Sequence, residues 1–239
     1  MEIGSRQWQN LIINGAQELG ISIDDRICAA FATHAAELFH WNRKFNLTAI
    51  TDARGIAIRH FLDSLAPAKF VPDRARMLDI GSGGGFPGIP LKIVKSSLSV
   101  FLIDGTRKKV NFLKHMIRLL GLDKSEALHI RAENFAHHTE FANSFDVIIS
   151  RALSDLTSFA KAATPLLAGQ GIIVALKGQV DQKELAALRE NLPPHQFSLK
   201  VEHYSLPCDP HLRSIVILKS LDKKSTHCCN SRFRYYVSP

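Results

Sequence analysis

The sequence has no run approaching 18 apolar residues, so no segment is long enough to cross a bilayer as a helix. Cysteine is scarce. Cys28, Cys208, Cys228 and Cys229 show none of the paired spacings of a zinc site, and Cys228 and Cys229 are adjacent, a poor arrangement for a mutual disulfide. This usage predicts a reduced, cytoplasmic chain without a metal centre. The opening residues, MEIGSRQWQNLII, lack the basic and then apolar stretch of a secretory signal. Internal repeats and low-complexity linkers are missing as well.

What is there is globular. The 239 residues, 46% of them apolar, suffice for one domain of ordinary size plus an extension. The formal net charge of +8 suits a polyanionic partner. Many basic proteins bind no nucleic acid, and charge alone does not decide.

Residues 77–90 locate the chemistry. Leu78 and Ile80 belong to a short apolar run that ends at Gly81, the signature of a buried parallel strand. Gly81, Gly83 and Gly85 allow a tight turn and remove side chains that would keep a ligand off the backbone. Pro87 and Pro90 suit the first turn of a following helix. Five glycines in the eight residues 81–88 cost backbone entropy, which argues for a ligand. Two readings fit. Gly83, Gly85 and Gly88 match the dinucleotide fingerprint G-x-G-x-x-G. From Asp79 the same residues match Asp-x-Gly-x-Gly-x-Gly, the first motif of S-adenosylmethionine-dependent methyltransferases, with a glycine at the strand end where the turn begins. Asp104, closing the run Val100–Asp104, can accept hydrogen bonds from ribose hydroxyls under either reading.

Helical spacing is expected over 6–19 and over 24–42, the latter capped by Asp24. Strands at 76–81, 99–104, 127–132, 145–150 and 171–176 then alternate with helices near 88–95, 107–120, 155–167 and 181–190. Val110, Leu113, Ile117 and Leu120 share a face of the helix over 107–120, and Gly121 stands where a C-terminal cap belongs. Such alternation predicts a parallel sheet covered on both faces. Phe197–Leu206 and Leu212–Lys219 are separated by five residues, too few for a helix, and so predict an antiparallel pair at one edge. Five parallel strands and a hairpin favour the methyltransferase sheet over the dinucleotide-binding one.

Several segments together resemble one family. They are Leu38–Thr51, Ile58-Arg59-His60-Phe61-Leu62-Asp63-Ser64, Gly85–Pro90, Arg107–Leu113, Phe145–Ala152 and Ala175-Leu176-Lys177-Gly178-Gln179. In this order and spacing they resemble the RsmG (GidB) family of bacterial guanine N7-methyltransferases of 16S ribosomal RNA, over about residues 10–219. The resemblance implies a seven-stranded, class I (Rossmann-like) α/β methyltransferase sheet with helices on both faces and an N-terminal helical extension. Residues 1–65 would be that extension, 66–220 the methyltransferase domain and 221–239 a C-terminal tail without counterpart. S-adenosylmethionine is the implied cofactor, and 16S RNA or a small-subunit particle the implied partner, with guanine 527 the family target.

Carried over by motif, cofactor contacts fall on Gly81 and Phe86, on Ala132 and Glu133 beside the adenine, and on Arg151, with Asp104 where such enzymes hold the ribose; Asp79, Ser82, Gly83 and Gly85 of the glycine motif complete the expected cofactor site. Gly105 replaces a serine common in the family. Guanine N7 carries an unshared pair in the ring plane, so the enzyme needs no general base, and orientation is its task. Accordingly the fourth strand ends in Ser150-Arg151-Ala152, not in the Asn/Asp-Pro-Pro-Tyr cluster that holds an exocyclic amine. The one Pro-Cys pair, Pro207-Cys208, lies in the hairpin, far from where a cysteine nucleophile belongs. Arg151 is read as the catalytic, acceptor-orienting group. Arg59 and His60 are read as a loop pair facing RNA, with helix packing an alternative for His60, and Lys177 as RNA-facing at the carboxyl edge. The basic residues Lys108, Lys109, Lys114 and Arg118 fit a solvated helix face as well as an RNA footprint. Methylation of a small molecule or protein, and a non-catalytic RNA-binding module with a retained cofactor site, are the alternative functions.

Overall fold

The computed structural model describes residues 1–135, 137–152, 155–193 and 196–221; the expected tail lies outside the described residues from residue 222 onward. Helices α1 (Arg6–Glu18) and α2 (Asp25–Phe45) open the chain. Ser5 Oγ accepts from Trp8 N at 3.3 Å, and Asp24 Oδ1 from Ile27 N at 2.8 Å, so a side chain caps each first turn. A helical stretch follows that the sequence did not announce: α3 (Ala53–Gly55), a π-helical turn (Ile56–Leu62), α4 (Asp63–Leu65) and a 3-10 turn (Ala66–Phe70). Ile56, Ala57, Ile58, Phe61, Leu62 and Leu65 are all buried there, so no polar face marks the helical period. Arg59 and His60 therefore stand on a helical turn, and the expectation of a loop pair is corrected.

The sheet contains β1 (Arg76–Ile80), β2 (Ser99–Asp104), β3 (Ser125–His129), β4 (Phe145–Arg151), β5 (Leu167–Lys177), β6 (Phe197–Leu206) and β7 (Asp209–Ser220). Their order is β3-β2-β1-β4-β5-β7-β6, the first five parallel and the last two antiparallel, as expected from the late hairpin. Helices α5 (Gly88–Val94), α6 (Arg107–Leu119), α7 (Ala132–Phe135), α8 (Leu156–Ala163) and α9 (Gln182–Asn191) connect them. Gly121 closes α6 at φ +57°, with Leu122 N donating to the Ile117 carbonyl at 3.0 Å.

Three boundaries differ from expectation. β3 ends at His129, and Ala132 opens a helical turn instead of ending a strand. The expected helix over 155–167 stops at Ala163, because Pro165 sits in a 3-10 turn and β5 already starts at Leu167. The hairpin turn is tight, with Leu206 opposite Asp209 and Cys208 at φ +59°.

Alternate strand residues divide between two cores, the period-2 pattern of a sheet covered on both faces. Met77, Val100, Leu102, Val147 and Val174 join Trp8, Phe31 and Phe61 of the N-terminal helices in one continuous cluster. Leu78, Phe101, Ile103, Ile148 and Ile173 face the opposite way, toward Leu156, Phe159 and Leu188. Among the described residues no helix is long and apolar enough to cross a membrane. The chain leaves β3 at one edge and re-enters beside β1 as β4. This reversal of strand order opens a crevice at the carboxyl ends of the strands, where open α/β sheets bind ligands.

Candidate functional site

β1 ends at Ile80, and the chain must turn within one residue. Gly81 does so at φ +73°, and a Cβ there would meet nothing within 4 Å, so the backbone borders open space. The N–H groups of Gly81 and Ser82 both donate to the Ile103 carbonyl, at 2.9 and 3.0 Å. Ser82 Oγ donates to the Asp79 carbonyl at 2.9 Å, and Gly83 N donates to Asp104 Oδ2 at 3.1 Å. The loop is thus fastened to the ends of β1 and β2 before any ligand arrives. Gly88 serves packing: a Cβ there would lie 2.4 Å from Leu102 Cδ2 and 2.7 Å from Asp79 Oδ2. At Gly85 the Cβ would strike Ile89 Cδ1 at 2.5 Å, so that glycine, too, admits a neighbour and not open space.

The two acidic residues occupy different environments. Asp79 is fully buried under the loop, where Oδ2 accepts from Gly88 N at 2.8 Å and Oδ1 has no partner. Burial pushes its pKa up to about 7, against the Gly88 N–H and the charge of Arg151, which pull it down. Asp104 stands at the rim. Its carboxylate accepts from Gly83 N and, at 2.8 Å, from Thr106 N, and Lys109 Nζ approaches within 3.9 Å. A carboxylate offers about four acceptor positions, so about two remain for a ligand.

A cavity of about 370 Å³ opens here, lined by Gly81, Asp104, Gly105, Arg131, Ala132 and Glu133 among others. It falls within the size range of small-molecule sites. Of the expected cofactor residues, Gly81, Asp104, Ala132 and Glu133 therefore come together. Asp79, Ser82, Gly83 and Gly85 shape the loop behind them. Arg131 was missed in the sequence. It fell inside the expected strand over 127–132, whereas β3 ends at His129 and leaves Arg131 in the connection to α7.

Phe86 and Arg151 form a second cluster. The Phe86 ring stacks with both His34 and His60, with centroids 4.7 and 4.4 Å away, and the Arg151 guanidinium lies 5.1 Å from its centroid. His34 Nε2 donates to the Gly84 carbonyl at 2.8 Å, a contact that fixes its tautomer and ties α2 to the glycine loop. Arg151 Nη1 donates to the Arg59 carbonyl at 2.9 Å and to Asp63 Oδ2 at 3.3 Å, and Nη2 donates to His60 Nδ1 at 3.0 Å. These bonds use three of its five N–H donors and leave two without a protein acceptor among the described residues. Burial, and then the charge of Arg151, lower the His60 pKa to about 2; burial lowers that of His34 to about 4. Both rings are neutral at physiological pH.

The residues expected to face RNA fare differently. Arg59 extends into solvent beside Asp52, at 3.4 Å. His60 is buried, its Nε2 donating to Thr48 Oγ1 at 2.8 Å. Lys177 does not present a free charge, because the carboxylate of Glu184 on α9 is its ion-pair partner.

A family model described as "GidB: rRNA small subunit methyltransferase G" matches residues 27–216. A protein of Geobacter sp. (strain M21), named ribosomal RNA small subunit methyltransferase G, is 43% identical over 211 residues, covering 88% of this chain and 96% of its own. One of the same name from Thermoanaerobacter sp. (strain X514) is 33% identical over 219 residues, covering 90% and 91%. Among solved structures, a SAM-dependent methyltransferase from Aquifex aeolicus superposes with a TM-score of 0.55 at 16% identity, over 74% of this chain and 97% of that one. An rRNA methylase from Streptococcus thermophilus reaches 0.50 at 16% identity, over 67% and 93%. These structures share the fold.

The raised pKa of Asp79 has a consequence for stability. The folded state holds the Asp79 proton up to about pH 7, whereas the unfolded chain releases it near 3.8. The contribution is therefore fully present below pH 4 and is lost as pH rises toward 7. Asp79→Asn keeps an oxygen for Gly88 N and removes the titration. In urea melts without ligand, the variant should gain stability relative to wild type between pH 4 and pH 7 and hold the gain above. Parallel curves for the two proteins across that window would contradict the assignment.

Proposed function

Because the chain belongs to the rRNA small subunit methyltransferase G family, we propose that it methylates N7 of a guanine in 16S ribosomal RNA, guanine 527, using S-adenosylmethionine. The observation that carries the reading is the match over residues 27–216, which spans the glycine loop, the Asp104 rim and Arg151. The geometry supports the cofactor: Gly81 borders open space, Asp104 has unused acceptor positions, and the cavity suits a nucleoside. In this reading residues 1–65 are a helical extension to a methyltransferase domain at 66–220.

When bound, S-adenosylmethionine supplies the methyl group. Asp104 accepts hydrogen bonds from the ribose hydroxyls, and Gly81 lets the backbone approach closely. Ala132 and Glu133 border the adenine. The guanine N7 lone pair is free at neutral pH, so no side chain need remove a proton, which agrees with a cluster built from neutral histidines and an arginine. Arg151 directs its two remaining N–H groups at the acceptor, where guanine O6 or a phosphate oxygen is the matching group. Held by Asp63, His60 and the Arg59 carbonyl, it needs little reorganisation as the reactants align. Exposed Lys and Arg residues such as Lys108, Lys114 and Arg118 contribute to the RNA footprint.

Two measurements test this. Asp104→Ala should weaken S-adenosylmethionine binding by about 1.5–3 kcal/mol, the scale of a lost charge-assisted hydrogen bond. Calorimetry showing unchanged affinity would remove Asp104 from the ribose. The second is mapping of N7-methylguanine in 16S RNA from cells lacking this protein. The mark at guanine 527 should be absent and should return when the purified protein and S-adenosylmethionine are added. Its persistence in those cells would refute the assigned reaction.

A further inference from the structure

Asp63 is a buried carboxylate that borders neither the cavity nor solvent, at 4% exposure. Such a group is tolerated only with partners, and it has three from distant parts of the chain. Tyr204 Oη on β6 donates to Oδ1 at 2.7 Å, Arg151 Nη1 at the end of β4 donates to Oδ2 at 3.3 Å, and Arg213 Nη1 on β7 lies 3.6 Å from Oδ1. Arg213 is itself drawn toward Asp209, with Nη2 donating to Oδ2 at 2.9 Å.

The two oxygens of Asp63 are therefore pulled toward different cations. Oδ1 is the oxygen Tyr204 occupies, and it is also the one facing Arg213. We propose that Tyr204 and Asp63 are a positioning pair for Arg151: the tyrosine hydroxyl anchors Oδ1, which keeps Oδ2 turned toward the guanidinium that orients the acceptor. This rests on the reading of Arg151 given above. Without the hydroxyl, Asp63 is free to rotate toward Arg213, and Arg151 loses its only carboxylate partner among the described residues while retaining the Arg59 carbonyl and His60. Burial, and after it the Asp63 charge, raise the Tyr204 pKa, so the phenol stays protonated and a donor at every working pH. A hairpin at the sheet edge, remote from the glycine loop, thus sets the aim of a side chain at the reaction centre.

Tyr204→Phe removes one oxygen and keeps the ring, so the fold should persist. Its single-turnover methylation rate on small subunits from cells lacking this protein, with S-adenosylmethionine saturating, should fall about 3- to 10-fold. RNA and cofactor affinities should stay within about twofold of wild type. The decisive comparison is the same substitution in an Arg151→Ala background, since residues that act through one another are not additive. There Tyr204→Phe should change the rate by less than about twofold. An equal loss in both backgrounds, or no loss in the single variant, would overturn the pair. A wild-type rate for Arg151→Ala would overturn the reading of Arg151 first, and the pair with it. Asp63→Asn gives a second approach: where it folds, its rate loss should be at least that of Tyr204→Phe, and a smaller loss would contradict the proposal.

Discussion

Two backbone N–H groups, those of Gly81 and Ser82, converge on the single carbonyl of Ile103. That convergence ties the end of β1 to the end of β2, and the site is built outward from it. It forces the left-handed turn at Gly81 and delivers Gly83 N to the Asp104 carboxylate. It also swings the chain back so that Gly88 meets Asp79 and Leu102 at distances no side chain would allow. The loop leaves few of its polar groups idle, and a ligand entering the cavity meets a surface already set.

The same loop projects Phe86 in the opposite sense, into the N-terminal helices. The His34–Phe86–His60 stack and the hydrogen bond that His34 Nε2 donates to the Gly84 carbonyl join those helices to the loop. Both histidines are neutral when folded and would take a proton when unfolded below about pH 6.5, so their burial favours folding at neutral pH and disfavours it in acid. Neutral rings also leave Arg151 as the fixed positive charge beside Phe86. The helices preceding the sheet thus brace the glycine loop, and their core is continuous with that of β1 and β2.

Much of this was legible in the sequence, for identifiable reasons. The glycine loop and the terminal acid of β2 are local signals, spelled out within a few residues, and Gly121 marked the end of α6 correctly. The late pair of strands betrayed its antiparallel course by the shortness of its connection. What escaped was either over-buried or non-local. The stretch from Ala53 to Phe70 is apolar on nearly all sides, so it offers no stripe by which a helix is recognised. Apolar Ile130 and Ala132 extended the apparent third strand past His129, where the structure turns into α7. Lys177 looked like a free cation because Glu184 belongs to the next helix. Arg151 could be found from its place at the end of β4, but Tyr204 reaches Asp63 across 141 residues, a contact no local pattern announces.

In the proposed reaction, cofactor and acceptor are held by separate groups: Gly81 and Asp104 for one, Arg151 for the other. The measurement that tests this most directly is methylation by Arg151→Ala in a single turnover, with RNA and S-adenosylmethionine both saturating. If Arg151 orients the acceptor against the methyl group, the rate should fall about 10- to 100-fold, roughly 1.4–2.7 kcal/mol on the barrier. The affinity for RNA, spread over many basic residues, should change little. A wild-type rate with the defect confined to RNA affinity would contradict the account and move Arg151 out of the reaction centre.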